Sequence, residues 1–246
     1  MPTRDPMRPV KRSLAAQCAA LRGVEVAALP PELLDVVARR LELGGESVLY
    51  VRPAAWEALR EAEAAARRPV PWWARAWPSG RALAAALAAG AASAGRRVIE
   101  LGCGLALPSI VAARRDADVL ATDGSTDAVA FAAHALALNG VLGDVAHADW
   151  AEHGEVLAAQ GPFDLVLAAD VLYTAANVEV ALALLPELVA PGGEVRLADP
   201  GRAGARDFLA GARARFSLRT EHDGDVALHT LRLRAPRRPR GGPPGR

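Results

Sequence analysis

Residues 97–123 read RVIELGCGLALPSIVAARRDADVLATD. A short apolar run, RVIEL, meets a glycine turn; a helix-like stretch, PSIVAARR, follows; a second apolar run, DVLATD, ends on the carboxylate of Asp123. Strand, turn, helix and strand in that order make a βαβ unit, whose strands pair in parallel through a right-handed crossover. Ligands of such units lie on the turn after the first strand, so the residues of that turn discriminate between ligands.

The same alternation runs on in both directions. Before it comes a helix over GRALAAALAA. After it come a helix over TDAVAFAAHALALN, a brief strand DVAHA, a helix EHGEVLAAQ and a strand FDLVLAAD. A helix NVEVALALLPELV, a strand GEVRLAD and a helix GARDFLAGARAR continue the series. The end changes character: FSLRTEH and VALHTLRLR alternate with period two around Asp223-Gly224, a strong hairpin signal, so the sheet finishes in an antiparallel element.

Residues 1–70 read as a lead packed on this main fold near the substrate entrance. They comprise a helix over PPELLDVVARRLEL begun by Pro30 and Pro31 and stopped at Gly44-Gly45, a strand ESVLYV, and a helix over AAWEALREAEAAARR. Residues 71–234 form the main domain. The tail 235–246, APRRPRGGPPGR, has nothing to bury and reads as disordered.

The chain is 246 residues long, enough for one α/β domain with a full core. It is 52% hydrophobic but only 4% aromatic, which favours Ala- and Leu-rich helices packed on a Val/Leu sheet. A formal net charge of +1 gives no overall field to draw in nucleic acid or an anionic membrane. Cys18 and Cys103 have neither metal-ligand spacing nor a disulfide framework, and His134, His147 and His153 show no metal spacing, so no metal is expected. Gln17, Arg22 and Glu25 interrupt any signal-peptide core, and no apolar run spans a bilayer; a cytoplasmic protein with no membrane partner is expected.

A dinucleotide fingerprint needs a third glycine where this turn has Leu107, and a P-loop needs a lysine that LALPS lacks, so pyrophosphate ligands are disfavoured. What remains is Glu100 just before the turn and Asp123 at the end of the next strand. A carboxylate at Glu100 suits a positive amino group lying over the turn, and Asp123 is placed to accept hydrogen bonds from ribose hydroxyls. A cation, a ribose and no phosphate describe S-adenosylmethionine.

ELGCG followed by ATD, ADW and FDLVLAADVLY resembles the seven-strand S-adenosylmethionine-dependent methyltransferases. The resemblance implies an α/β, Rossmann-like, seven-stranded and mostly parallel sheet with helices on both faces and a C-terminal antiparallel hairpin. It also implies that Glu100, Gly102 and Gly104 line the methionine end of the cofactor, Asp123 the ribose, and Asp149 with Trp150 the adenine. That family often carries a further glycine near Ala106, and alanine tolerates positive φ poorly.

Three further stretches, PWWARAWPSGRAL, AADVLYT and LADPGR, fall at strand ends or on the approach to them. From about Pro71 to Phe208 the chain resembles the family-16-like protein methyltransferases, and within them the lysine methyltransferases of the electron-transfer flavoprotein β subunit. The likeness places Trp77 near the adenosine, with Gly80 permitting close approach. Its D-x-x-Y signature falls on Asp170 and Tyr173, and its DPGR signature on Asp199, Pro200, Gly201 and Arg202, the last three as substrate contacts. The implied acceptor is a lysine on a protein, such as the electron-transfer flavoprotein β subunit or a ribosomal protein.

A lysine amine is protonated at neutral pH and must lose a proton before it attacks a methyl group. Asp170, beside the cofactor, can hold the ammonium, Tyr173 offers a hydroxyl and a ring face for a methylated cation, and Asp199 could share the first role. No strong general base stands out, so the proton leaves to water. Trp72 and Trp73 read equally as a hydrophobic plug or a substrate contact. A small-molecule N-methyltransferase, resembling the nicotinamide methyltransferases, would share the cofactor site but close its pocket. A non-catalytic scaffold would lack the acids at 100 and 123. A nucleic-acid acceptor is disfavoured by the charge, by the scarcity of aromatics and by Ala-Asp-Val-Leu-Tyr standing where base-amine methyltransferases carry Asn-Pro-Pro-Tyr.

Overall fold

A computed structural model describes residues 7–90 and 93–234. Its main sheet has seven strands in the order β5-β4-β3-β6-β7-β9-β8. These are β3 (Arg97–Leu101), β4 (Asp118–Asp123), β5 (Asp144–His147), β6 (Phe163–Ala169), β7 (Val189–Asp199), β8 (Phe216–Asp223) and β9 (Val226–Leu233). Strands β5, β4, β3, β6 and β7 pair in parallel. β9 runs antiparallel to both β7 and β8, and its turn with β8 contains Gly224 at φ +56. The sheet, its parallel body and the terminal hairpin are those expected from the sequence.

Period-two alternation in the central strands creates two cores. Val98, Leu165 and Leu167 face α4 (Pro78–Ala89), α5 (Leu107–Arg114) and α6 (Thr126–Leu138), joining Leu83, Ile110 and Phe131. Ile99, Leu101, Val166 and Ala168 face the other way, towards α7 (Trp150–Gln160), α8 (Ala175–Leu188) and α9 (Ala203–Ala212), with Leu157, Leu185 and Phe208. Phe131 and Phe208 are fully buried, one in each layer, and each contributes ~2–3 kcal/mol of transfer free energy. The chain reverses direction across the sheet between β3 and β6, which opens a crevice at the carboxyl ends of those strands.

The N-terminal segment departs from expectation. A helix over residues 30–43 is replaced by one turn, α2 (Pro31–Leu34), and a strand, β1 (Val36–Leu43), paired antiparallel with β2 (Glu46–Pro53). Gly44 and Gly45 adopt φ +57 and +90, so the pair turns a hairpin instead of stopping a helix. Gly44 also approaches α4 closely: a Cβ there would lie 2.5 Å from the Ala85 carbonyl oxygen. A further helix, α1 (Arg8–Arg22), ends at left-handed Gly23 and packs Leu14, Ala15, Cys18 and Ala19 inward, lying against α6. The helix expected over residues 54–68 is α3 (Trp56–Ala65). The basic tail lies outside the described residues. Among the described residues no helix is long and apolar enough to cross a membrane.

Candidate active site

The turn after β3 is held open by three left-handed residues, Gly102, Gly104 and Ala106, at φ +67, +51 and +56. Glycine is required at the first: a Cβ on Gly102 would meet Val171 Cγ1 at 2.9 Å. Ala106 bears the steric cost of this conformation at the position near which the resembled family often carries glycine. The turn is then tied to β4. The Cys103 N–H donates to the Thr122 carbonyl at 2.9 Å, and the Gly104 N–H donates to Asp123 Oδ2 at 2.8 Å. The Ser125 N–H donates to Asp123 Oδ1 at 2.8 Å. Each oxygen of Asp123 therefore takes one backbone donor and retains acceptor capacity for a ligand. Burial raises its pKa above the ordinary carboxylate range.

Glu100 is 2% exposed at the end of β3. Its Oε2 accepts the backbone N–H of Ser109 at 2.9 Å and the Ser109 hydroxyl. Burial, only partly opposed by these bonds, pushes its pKa up to about 8. Ser109 is a site residue that the sequence motifs did not single out; a hydroxyl in the first turn of the helix, two positions beyond Leu107, was the available signal.

Glu100, Asp123 and the glycine turn open into one cavity of about 1170 Å³. Trp77, Gly80, Glu100, Gly102, Gly104, Asp123, Asp149, Trp150, Asp170, Tyr173 and Arg202 all line it. Asp149 caps α7, its Oδ1 accepting from the Ala151 N–H at 2.8 Å, and Trp150 reaches back to the turn, with Cζ2 3.6 Å from where a Gly102 Cβ would stand. Trp72 and Trp73 differ in burial. Trp73 is a buried plug 4.8 Å from the Phe131 ring, whereas Trp72 is 47% exposed at the mouth.

Asp170 follows β6 in a left-handed conformation, φ +60, with its N–H donating to the Ala198 carbonyl at 3.0 Å. Its Oδ1 lies 2.6 Å from Arg202 Nη2, and its Oδ2 is buried with no hydrogen-bond partner. Tyr173, at the same rim, is 59% exposed.

Asp199, Pro200 and Gly201 do not line the cavity. Asp199 is 1% exposed, and its carboxylate accepts the N–H groups of Gly201 at 2.8 Å and Arg202 at 2.7 Å, with Arg202 Nη1 at 3.3 Å. These donors wall it off from the cleft, so the expected share in holding an ammonium does not fit its position. Asp199 instead shapes the turn that aims Arg202 at Asp170.

Another charged group at the cleft was not anticipated. Arg22 at the end of α1 donates to Asp127 Oδ1 at 2.8 Å and to Glu63 Oε1 at 2.9 Å, joining α1 to α6 and α3 along one wall. No local sequence pattern links positions 22, 63 and 127.

A family model described as lysine methyltransferase matches residues 73–208. An electron transfer flavoprotein beta subunit lysine methyltransferase of Danio rerio is 32% identical over 141 residues, covering 56% of this chain and 54% of that protein. An EEF1A lysine methyltransferase 3 of Mus musculus is 32% identical over 146 residues, covering 57% of this chain and 62% of that protein. The alignments thus span between about half and two thirds of these relatives' own lengths. Among solved structures, a 16S rRNA methyltransferase of T. thermophilus, in complex with AdoMet and guanosine, superposes with a TM-score of 0.62 at 19% identity, covering 85% of this chain and 53% of that one. A methyltransferase from Geobacter sulfurreducens gives 0.50 at 22% identity, covering 74% and 91%. Both share the fold. The family match covers the glycine turn, both strand-end acids and the Asp170–Arg202 edge, and on it the chain belongs to the lysine methyltransferase family.

Proposed function

We propose that the chain transfers a methyl group from S-adenosylmethionine to the side-chain nitrogen of lysine on a protein. The observation that carries this reading is the Asp170 carboxylate, which lines the cavity that also holds Glu100 and Asp123 and has one oxygen held by Arg202 and the other, Oδ2, buried without a hydrogen-bond partner. The names of the relatives support the same class of acceptor.

The residues present fit the cofactor. Gly102 leaves a cradle that a side chain would fill; two buried acids, Glu100 on β3 and Asp123 at the end of β4, flank the turn, which has neither the lysine nor the third glycine that a pyrophosphate site uses. Glu100, which holds its proton in the free protein, releases it when the amino group of the methionine end arrives and then serves as its counter-charge; Asp123 accepts from the ribose hydroxyls. Asp149 and Trp150 receive the adenine, with Trp77 and Gly80 beside the adenosine. When bound, S-adenosylmethionine supplies the activated methyl group.

The protein's remaining task is alignment of a neutral amine. Asp170 Oδ2 accepts from the incoming ammonium and orients the nitrogen once its proton has left to water. Arg202 and, behind it, Asp199 are positioning residues that fix the Asp170 side chain. Tyr173 offers a ring face to the methylated cation. The exposed Trp72 and Tyr173 at the mouth favour a groove for a macromolecule over the closed pocket of a small-molecule enzyme.

Amino-acid analysis tests the chemistry of the acceptor. Proteins labelled by the purified enzyme with radioactive S-adenosylmethionine should release methylated lysine on hydrolysis. Label recovered only as methylated arginine or as a base-labile ester would overturn the reading.

A further inference from the structure

The cleft lies just above the usual size range of small-ligand pockets. Small-ligand pockets run to roughly 300–1000 Å³, and this one encloses about 1170 Å³. Part of its lining comes from outside residues 73–208: Leu21 and Arg22 at the end of α1, Val24 just beyond it, Glu63 and Arg68 around the end of α3, then Val70 and Trp72. Among the described residues nine large apolar side chains are exposed, and five of them, Leu21, Val24, Val70, Trp72 and Tyr173, line this single cavity. An apolar rim so concentrated marks a binding surface.

The charges on the rim narrow the partner. Arg22 is neutralised by Glu63 and Asp127, Arg68 by Glu63, and Arg202 by Asp170 and Asp199. Arg75 also lines the cavity but makes no ion pair among the described residues. Its guanidinium lies 4.9 Å from the ring centroid of Trp56 and 4.8 Å from that of Trp77. Trp72 packs against both rings, 5.5 and 5.9 Å away. Stacking occupies the faces of the guanidinium and leaves its edge N–H donors, in a geometry that matches a carboxylate. One unpaired cation is too few for a phosphate backbone, which needs several.

We propose that this rim docks an extended acidic and apolar polypeptide segment. Its carboxylate meets Arg75, its apolar side chains cover Leu21, Val24, Val70 and Trp72, and its lysine points to Asp170. The proposal rests on the lysine reading above and adds the sequence context of the acceptor. Arg75 and the lead residues then select among lysines while Asp170 holds the one selected.

The test uses short fluorescein-labelled peptides that share a central lysine and apolar neighbours. They differ in carrying either glutamate or arginine beside them, and a third peptide has its apolar residues replaced by serine. With the full chain, anisotropy should show the glutamate peptide binding roughly fivefold more tightly than the arginine peptide, about what one partly exposed charge pair provides. The serine peptide should bind far more weakly, and added salt should erode the glutamate preference. Arg75→Glu should invert the order, and the milder Arg75→Gln should bring the two charged peptides to parity. Equal binding of both charged peptides by the wild type, binding by neither, or displacement of the glutamate peptide by a single-stranded RNA oligonucleotide would overturn the proposal. Assays of methyl transfer on the same peptides separate the two readings. Equal transfer rates to both charged peptides would remove the docking surface and leave lysine methylation standing. Selective binding without transfer would support the surface and sink the lysine reading.

Discussion

Arg202 Nη2 lies 2.6 Å from Asp170 Oδ1, and the same guanidinium reaches Asp199 Oδ2 through Nη1 at 3.3 Å. One arginine thus joins the ends of two neighbouring parallel strands, β6 and β7. The other oxygen, Asp170 Oδ2, is buried and without a hydrogen-bond partner. That division of one carboxylate into a held oxygen and a free one is the feature from which the proposed chemistry follows.

Asp170→Asn keeps the shape of the side chain, and asparagine tolerates the left-handed backbone at φ +60. It removes the charge that holds the ammonium. We expect kcat to fall about a hundredfold or more, on the scale of losing a preorganised electrostatic group, while the fold persists. Single-turnover kinetics with circular dichroism checks this, and wild-type turnover in the variant would remove Asp170 from the mechanism.

The acid before the glycine turn makes stability depend on pH. Burial raises Glu100 from 4.5 to about 8, so the folded protein holds its proton over a range in which the unfolded chain has released it. The contribution is fully present below about 4.5 and is lost as pH rises through about 8, at ~1.4 kcal/mol for each pH unit crossed between those two values. Glu100→Gln should melt like the wild type at the acid end of this window and become increasingly the more stable of the two towards pH 8. Asp123, also raised by burial, is common to both proteins. Parallel melting curves across the window would show that Glu100 is ionised in the fold.

The two ends of the turn should respond unequally to the exchange of glycine and alanine. Gly102→Ala meets both a positive φ and Val171 Cγ1 at 2.9 Å, and should cost ~2 kcal/mol together with cofactor affinity. Ala106→Gly relieves strain of ~1 kcal/mol at φ +56 but gives up a buried methyl of about the same worth, so its stability should lie within ~1 kcal/mol of the wild type. Urea denaturation distinguishes them, and equal losses in the two variants would contradict the strain argument.

How much of this was legible in the sequence follows from the range of each interaction. The unit from Arg97 to Asp123 is local: its strands, its turn and both acids lie within one crossover, and the alternation that announces them is short-range. The helix expected over residues 30–43 failed because Val36, Val37, Leu41 and Leu43 suit either period. The pairing of β1 with β2, and the fit of Gly44 under α4, decided for the strand. Asp199 reads as a member of the site because its motif neighbours Arg202. Only the folded chain reveals that the intervening turn uses up its carboxylate. Arg22, Glu63 and Asp127 meet across three helices, and no spacing rule reaches that far.

That distant meeting gives a further prediction. The side chain of Arg22 is 13% exposed, and those of Glu63 and Asp127 are 5% and 9% exposed. Arg22→Met leaves Asp127 without its cation while Glu63 keeps Arg68, and stranding a buried charge in this way costs ~3 kcal/mol. For a chain of this size Tm should fall by roughly 6–12 °C, measured by calorimetry. An unchanged Tm would mean that α1 does not depend on this contact for its place on α6.

Methyl transfer to lysine on a protein can be observed by incubating the purified chain with radiolabelled S-adenosylmethionine and two pools from a host strain lacking the gene. One pool is its protein extract and the other its small-molecule filtrate. Label is expected on a discrete protein band, mapped to lysine by mass spectrometry and absent with Asp170→Asn. Label confined to the filtrate would contradict it and reassign the acceptor to a small molecule.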